Sequence, residues 1–129
     1  MTKVSMKMQP VKSPEGEGGS MLLCLTVEGH AGYAPRGKDI VCAAVSMLVQ
    51  ALAGALTRLD AYDLYDFCID GQKEKGTVCI TAAPTHEGWP RVRGMFDAAL
   101  TGFDLLAKSY PAYVSAENLF KEEDRIYER

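Results

Sequence analysis

His30 and Cys42 stand twelve positions apart, with Ala31-Gly32-Tyr33-Ala34-Pro35-Arg36-Gly37-Lys38-Asp39-Ile40-Val41 between them. A thiol and an imidazole are the two parts of a nucleophilic pair, in which the ring takes or shares the thiol proton and later returns it to a leaving group. The spacing places the imidazole at the end of a strand-like run and the thiol near the start of a strongly apolar helix. With Asp39 as N-cap, Ile40 and Val41 are the first helical positions and Cys42 is the third. There, unpaired backbone N–H groups and the positive end of the helix dipole favour a thiolate. A nearby imidazolium lowers the thiol pKa further.

Each of these residues also has a plainer reading. A cysteine in an apolar helix is ordinarily a small core residue, and a histidine at a strand end is ordinarily a surface group. Asp39 fits a helix cap on the N–H of Val41 or Cys42, and it is also placed to steer the imidazole. Ser46, one turn after Cys42 on the same helical face, fits either a hydroxyl bonded back to a carbonyl or a contact to substrate or thiolate. Gly29 and Ala31-Gly32 reduce crowding around His30. The N–H groups around Cys42 and Ala43 are the natural candidates to hold an oxyanion. His86 reads as a helix-start residue beside a cap at Thr85, and Cys24, Cys68 and Cys79 read as inert packing thiols in strands.

A zinc site is the main competing chemistry. Structural zinc takes four ligands in short paired spacings, whereas His30 and Cys42 supply two with no second pair, so no metal is expected. Gly29, Gly32 and Gly37 do not form a phosphate-cradling motif, because no G-x-x-x-x-G-K-[ST] pattern is present. No cofactor is expected either.

The elements that must position the pair follow from periodicity. Lys3 to Gln9 alternates, with Val4, Met6 and Met8 on one face. Met21 to Glu28 alternates again, with Met21, Leu23, Leu25 and Val27 on one face, so the two strands make a hairpin whose long tip is Ser13 to Ser20. Ile40 to Leu59 is apolar nearly all round, as in a helix buried on more than one side. Leu64 to Ile69 and Thr77 to Ala83 form a second hairpin across the turn Asp70 to Gly76. His86 to Lys108 sets Trp89, Val92, Phe96, Ala99, Leu100, Phe103 and Leu106 at spacings of three and four, an amphipathic helix ended by Tyr110-Pro111. Tyr113 to Leu119 adds a short strand, and the charged tail Lys121 to Arg129 is expected to be solvated.

The order β-β-α-β-β-α-β predicts an α+β fold, a two-layer sandwich of a mostly antiparallel sheet and two helices. At 129 residues the chain is read as one domain, residues 1–129. Its 14 Lys and Arg against 17 Asp and Glu give a net charge of −3, without the basic stripe of a protein that grips nucleic-acid phosphates. The four cysteines contain no Cys-x-x-Cys pair and no export signal precedes them, so free thiols and a cytoplasmic location are expected. No apolar stretch reaches the roughly 20 residues that span a bilayer, so no membrane partner is expected.

The run Gly29-His30-Ala31-Gly32-Tyr33-Ala34, then Gly37, then Asp39-Ile40-Val41-Cys42-Ala43-Ala44-Val45-Ser46 resembles the ribosomal-processing cysteine protease family, Prp. The resemblance implies a cytoplasmic cysteine endopeptidase that removes the N-terminal extension of large-subunit ribosomal protein twenty-seven, working as a homodimer. It implies a catalytic dyad of His30 and Cys42. Asp39, Ser46, Gly29 and Ala43 would support the dyad or bind substrate, and a mobile loop carrying Gly32, Tyr33 and Gly37 would order over the peptide. The partner implied is a ribosomal protein precursor, with no direct nucleic-acid contact. The competing reading is a non-catalytic ribosome-associated assembly factor that binds peptide or RNA.

Overall fold

The computed structural model describes residues 1–12, 19–35, 37–72, 76–116 and 119–120. Most of the expected tip Ser13 to Ser20, Arg36, the centre of the turn Asp70 to Gly76 and the tail Lys121 to Arg129 lie outside the described residues. The elements run β1 (Thr2–Lys12), β2 (Gly19–Glu28), α1 (Ile40–Thr57), β3 (Leu64–Gln72), β4 (Thr77–Pro84), α2 (Trp89–Ser109) and β5 (Val114–Ala116), in the expected order.

The strands form one sheet in the order β3-β4-β2-β1-β5. All neighbours are antiparallel except β1 and β5, which run parallel. Alternation decides which face is covered: Val4 and Met6 on β1, Leu23, Leu25 and Val27 on β2, and Ile80 and Ala82 on β4 are buried on the helical side. Register puts Met6 opposite Leu25, and Leu25 opposite Ile80, so these side chains form continuous rows across three strands. The helices close the layer. From α2 come Val92, Phe96, Ala99, Leu100 and Phe103, all buried, at the helical spacing their sequence positions require. Burying a side chain of the size of Phe96 or Leu100 stabilises the fold by about 1.5–3 kcal/mol.

The α2 stripe also buries Arg93, whose guanidinium reaches Asp97 one turn on at 3.1 Å and Met8 Sδ on β1 at 2.8 Å. The helix begins at Trp89, not at His86, because the chain first makes a turn in which the Gly88 N–H donates to Thr85 Oγ1 at 2.9 Å. Thr85 thus caps that turn and leaves His86 exposed in it. Gly88 is required there by contact. A Cβ at this position would lie 2.1 Å from the Asp63 carbonyl oxygen and 2.3 Å from its Cα, and backbone cannot step aside. Gly88→Ala should therefore cost about 2 kcal/mol. A melting curve indistinguishable from the wild type would refute that packing.

Two expectations are corrected. The helix α1 is apolar nearly all round yet buried along one stripe only, Val41, Val45, Leu52 and Leu56. Ile40 and Met47 remain 57% and 64% exposed, because the sheet and α2 cover only that stripe. The strand cysteines are not buried core thiols: Cys24 and Cys79 are half-buried and Cys68 is exposed. Their positions alternate with Leu23, Leu25, Ile80 and Ala82, which puts them on the sheet face that carries no helix.

Candidate active site

The chain leaves β2 at Glu28 and turns at Gly29, whose φ of +85° is favourable only for glycine. The Gly29 N–H donates to the Gly76 carbonyl at 2.8 Å, and a Cβ at Gly29 would lie 2.5 Å from the Met1 carbonyl oxygen. This clasp fixes where His30 begins. The imidazole then rests against Gly76 at the head of β4, so close that a Cβ there would sit 2.7 Å from Nε2. Gly76 itself has φ +62°. The ring is seated by the absence of a side chain beneath it.

Cys42 is half-buried in the first turn of α1, on the other side of the same groove. That groove encloses about 1090 Å³ and includes both His30 and Cys42 in its lining. Among the described residues no hydrogen bond joins the sulfur to the ring. Thiol and imidazole share one open cleft without being closed into a contact pair.

Asp39 holds the entrance of α1 and does more than cap it. Its Oδ1 accepts the Cys42 N–H at 2.9 Å, while Oδ2 accepts the N–H of Tyr33 at 3.0 Å and of Ala34 at 3.3 Å. These donors, the Cys42 amide first, hold the Asp39 carboxyl below the ordinary carboxylate range. One carboxylate thus ties the loop to the helix turn that carries the thiol. Among the described residues it makes no hydrogen bond to the imidazole; its oxygens accept from backbone amides and are engaged with the Cys42 side chain.

The expectation for the oxyanion is corrected on the same ground. The Cys42 N–H is bonded to Asp39 Oδ1, and the Ala43 N–H to the Asp39 carbonyl at 3.1 Å. Both are committed in this conformation. The N–H groups of Ile40 and Val41 are the first-turn donors without a protein partner among the described residues.

Ser46 lines the groove and accepts a hydrogen bond from Gln50 Nε2 at 2.9 Å, and among the described residues its hydroxyl makes no bond back to a carbonyl one turn earlier. In the loop, Gly32, Ala34 and Gly37 line the groove, whereas Tyr33 does not. Its ring is held at the corner of α2 and β5, edge-on to Tyr110 at 5.7 Å and to Tyr113 at 5.1 Å between centroids. The loop thereby shows small residues to the cleft and anchors its large one outside.

Gly71, Gln72, Gly76, Thr77 and Val78 complete the wall from the β3–β4 hairpin. None of them was a site candidate from sequence. They reach the site because β4 pairs with β2, a neighbour relation that one sequence does not encode locally. Gly76→Ala should lower turnover roughly 10- to 100-fold by pushing the ring aside, with a stability loss of about 1 kcal/mol from the positive φ. Unchanged turnover in that variant would show that the seat of His30 is unimportant.

Comparison with known proteins gives the family and the fold. The family model for cysteine protease Prp matches residues 17–115. The ribosomal processing cysteine protease Prp of Mycoplasma pneumoniae is 30% identical over 99 residues, covering 77% of this chain and 90% of that protein. The crystal structure of SMU.848 from Streptococcus mutans superposes with a TM-score of 0.60 at 28% identity, over 90% of this chain and 95% of that one. The essential ribosomal processing protease Prp from S. aureus, solved with a covalently linked product peptide, shares the fold with a TM-score of 0.64 at 17% identity, over 90% of this chain and 97% of its own. A thiol and an imidazole facing one groove on this fold, together with a family match over most of the length, make the chain a cysteine protease of the Prp family.

Proposed function

We propose that this chain is the endopeptidase that removes the N-terminal extension of large-subunit ribosomal protein twenty-seven in the cytoplasm, with Cys42 as nucleophile and His30 as its proton partner. The observation that carries the reading is the shared groove, with Cys42 on the α1 wall and His30 on the β2–β4 wall. The relative from Mycoplasma pneumoniae is named for ribosomal processing, which supports a ribosomal protein precursor as the substrate class.

In this mechanism the Cys42 thiolate attacks the scissile carbonyl carbon and forms a tetrahedral oxyanion next to the positive end of α1. His30 delivers a proton to the leaving amine, and a thioester to Cys42 remains. Water, deprotonated by the same ring, then hydrolyses the thioester and frees the thiol. The loop that carries Gly32 and Gly37 tightens over the peptide and brings ring and sulfur together. Asp39 and the Tyr33 anchor limit how far it travels.

The test is mass spectrometry of a peptide copying the extension and the first residues of the mature ribosomal protein. A single cut at the junction is the expected result, and an intact peptide at high enzyme concentration would sink the reading.

The assembly proposed is a homodimer formed through the exposed apolar side of α1. Ile40 and Met47 there are large side chains left uncovered by the rest of the fold. Met47→Glu should convert the dimer to a monomer by light scattering. A wild-type chain that is monomeric at working concentrations would rule the assembly out.

A further inference from the structure

On the sheet face without helices, Cys24 on β2 and Cys79 on β4 place their sulfurs 3.3 Å apart. Register explains the meeting: Cys24 lies opposite Thr81 and Thr26 opposite Cys79, so the two cysteines are diagonal neighbours on one face of an antiparallel pair. Thr26 lies between them, its Oγ1 3.9 Å from one sulfur and 3.7 Å from the other. Lys7 and Ser5 of β1, and Cys68 and Asp70 of β3, occupy the facing register positions on either side. Among the described residues Cys24 and Cys79 are the cysteines whose sulfurs meet, whereas the Cys42 side chain is engaged with Asp39.

We infer that Cys24 and Cys79 form a thiol–disulfide exchange site, separate from the proteolytic groove, that takes low-molecular-weight disulfides as oxidant. In the first step one thiolate of the pair attacks the small disulfide, releasing one small thiol and leaving a mixed disulfide on the protein. The second thiol, already in contact, loses its proton and attacks the protein-side sulfur. The Cys24–Cys79 bond forms and a second small thiol leaves. The pair is oxidised by two electrons and the small disulfide is reduced by two. The half-buried sulfurs close from 3.3 Å to a bond of about 2.05 Å, and because the two residues are diagonal neighbours the strands draw together as the bond forms.

The resting pair is a dithiol. Burial, and next the contact with Cys79, in which either sulfur can donate, raise the pKa of the Cys24 thiol. Oxidation staples β2 to β4. These are the strands whose ends carry His30 and Gly76, so the bond lies in the support of the imidazole without touching it.

The experiment is incubation of the native, fully reduced protein with glutathione disulfide, followed by acid quench, alkylation and peptide mapping. The expected product has lost two hydrogens, carries Cys24 linked to Cys79, and returns to the dithiol with excess glutathione. In Cys24→Ser the reaction should stop at a mixed disulfide on Cys79, and in Cys79→Ser at one on Cys24. Oxidised wild-type protein that carries only mixed disulfides, or in which the pair reacts no faster than the exposed Cys68, would overturn the inference. None of these outcomes depends on peptide cleavage, so the site stands or falls apart from the proteolytic assignment.

Discussion

Cys42→Ala should reduce cleavage of the precursor peptide on the order of 10⁴-fold, and His30→Ala on the order of 10³-fold, with the double variant no worse than Cys42→Ala. The asymmetry has a chemical origin. Without the sulfur there is no covalent route at all. Without the ring, a thiolate can still form in a fraction of molecules, but the leaving amine must find its proton in water. His30 is exposed and Cys42 is a half-buried group at the edge of the core that loses only its sulfur, so both variants should melt close to the wild type. Single-turnover kinetics with excess enzyme separates the chemical step from binding. Two losses that multiply in the double variant would mean that thiol and ring act independently, which the dyad does not allow.

Replacing Asp39 should cost nearly as much although it removes neither reacting group. Asp39→Ala removes three hydrogen bonds from backbone, one from the Cys42 amide and two from the loop amides of Tyr33 and Ala34, and with them the contact to the Cys42 side chain. The thiol turn and the loop then lose their common anchor. A displacement of about an ångström at the reacting centre lowers kcat/KM by about a hundredfold. Asp39→Asn separates the two functions, because its single carbonyl oxygen can keep the cap on Cys42 while its NH₂ cannot accept from the loop. The Asn variant should melt near the wild type yet remain defective in kcat/KM, whereas the Ala variant should lose both. Full activity in Asp39→Asn would show that the loop needs no anchor. The ionised carboxylate is required, and its pKa is depressed. Its contribution is therefore complete above the ordinary carboxylate pKa and disappears as pH falls through the lowered value. At neutral pH the anchor is engaged.

The strands and α2 were legible because alternation and the three-and-four spacing are local signals, written in Val4, Met6, Leu23, Leu25, Val27, Phe96 and Phe103 themselves. The extent of α1 was legible too, but not its burial. Ile40 and Met47 have the composition of core residues, and only the finished packing shows that nothing covers them. In the site, chemistry singled out Cys42 and His30, which the structure places on one groove, and cap preference singled out Asp39, which caps α1. The second oxygen of Asp39 was out of reach, since its partners depend on the path of the loop. Gly76 was invisible for a related reason. Its importance is created by the pairing of β2 with β4, which brings the beginning of one strand under the end of another.

Beside Gln72, Thr77 and Val78, the positions Gly29, Gly32, Ala34, Gly37, Gly71 and Gly76 give the groove wall a nearly bare stretch of main chain, and that stretch has a pharmacological consequence. An inhibitor that grips main-chain amides and carbonyls along it would have almost no side chains to lose by mutation. Resistance would have to come from enlarging one of these residues. At Gly29 and Gly76 that enlargement strikes Met1 or His30 and damages the enzyme before it excludes the drug.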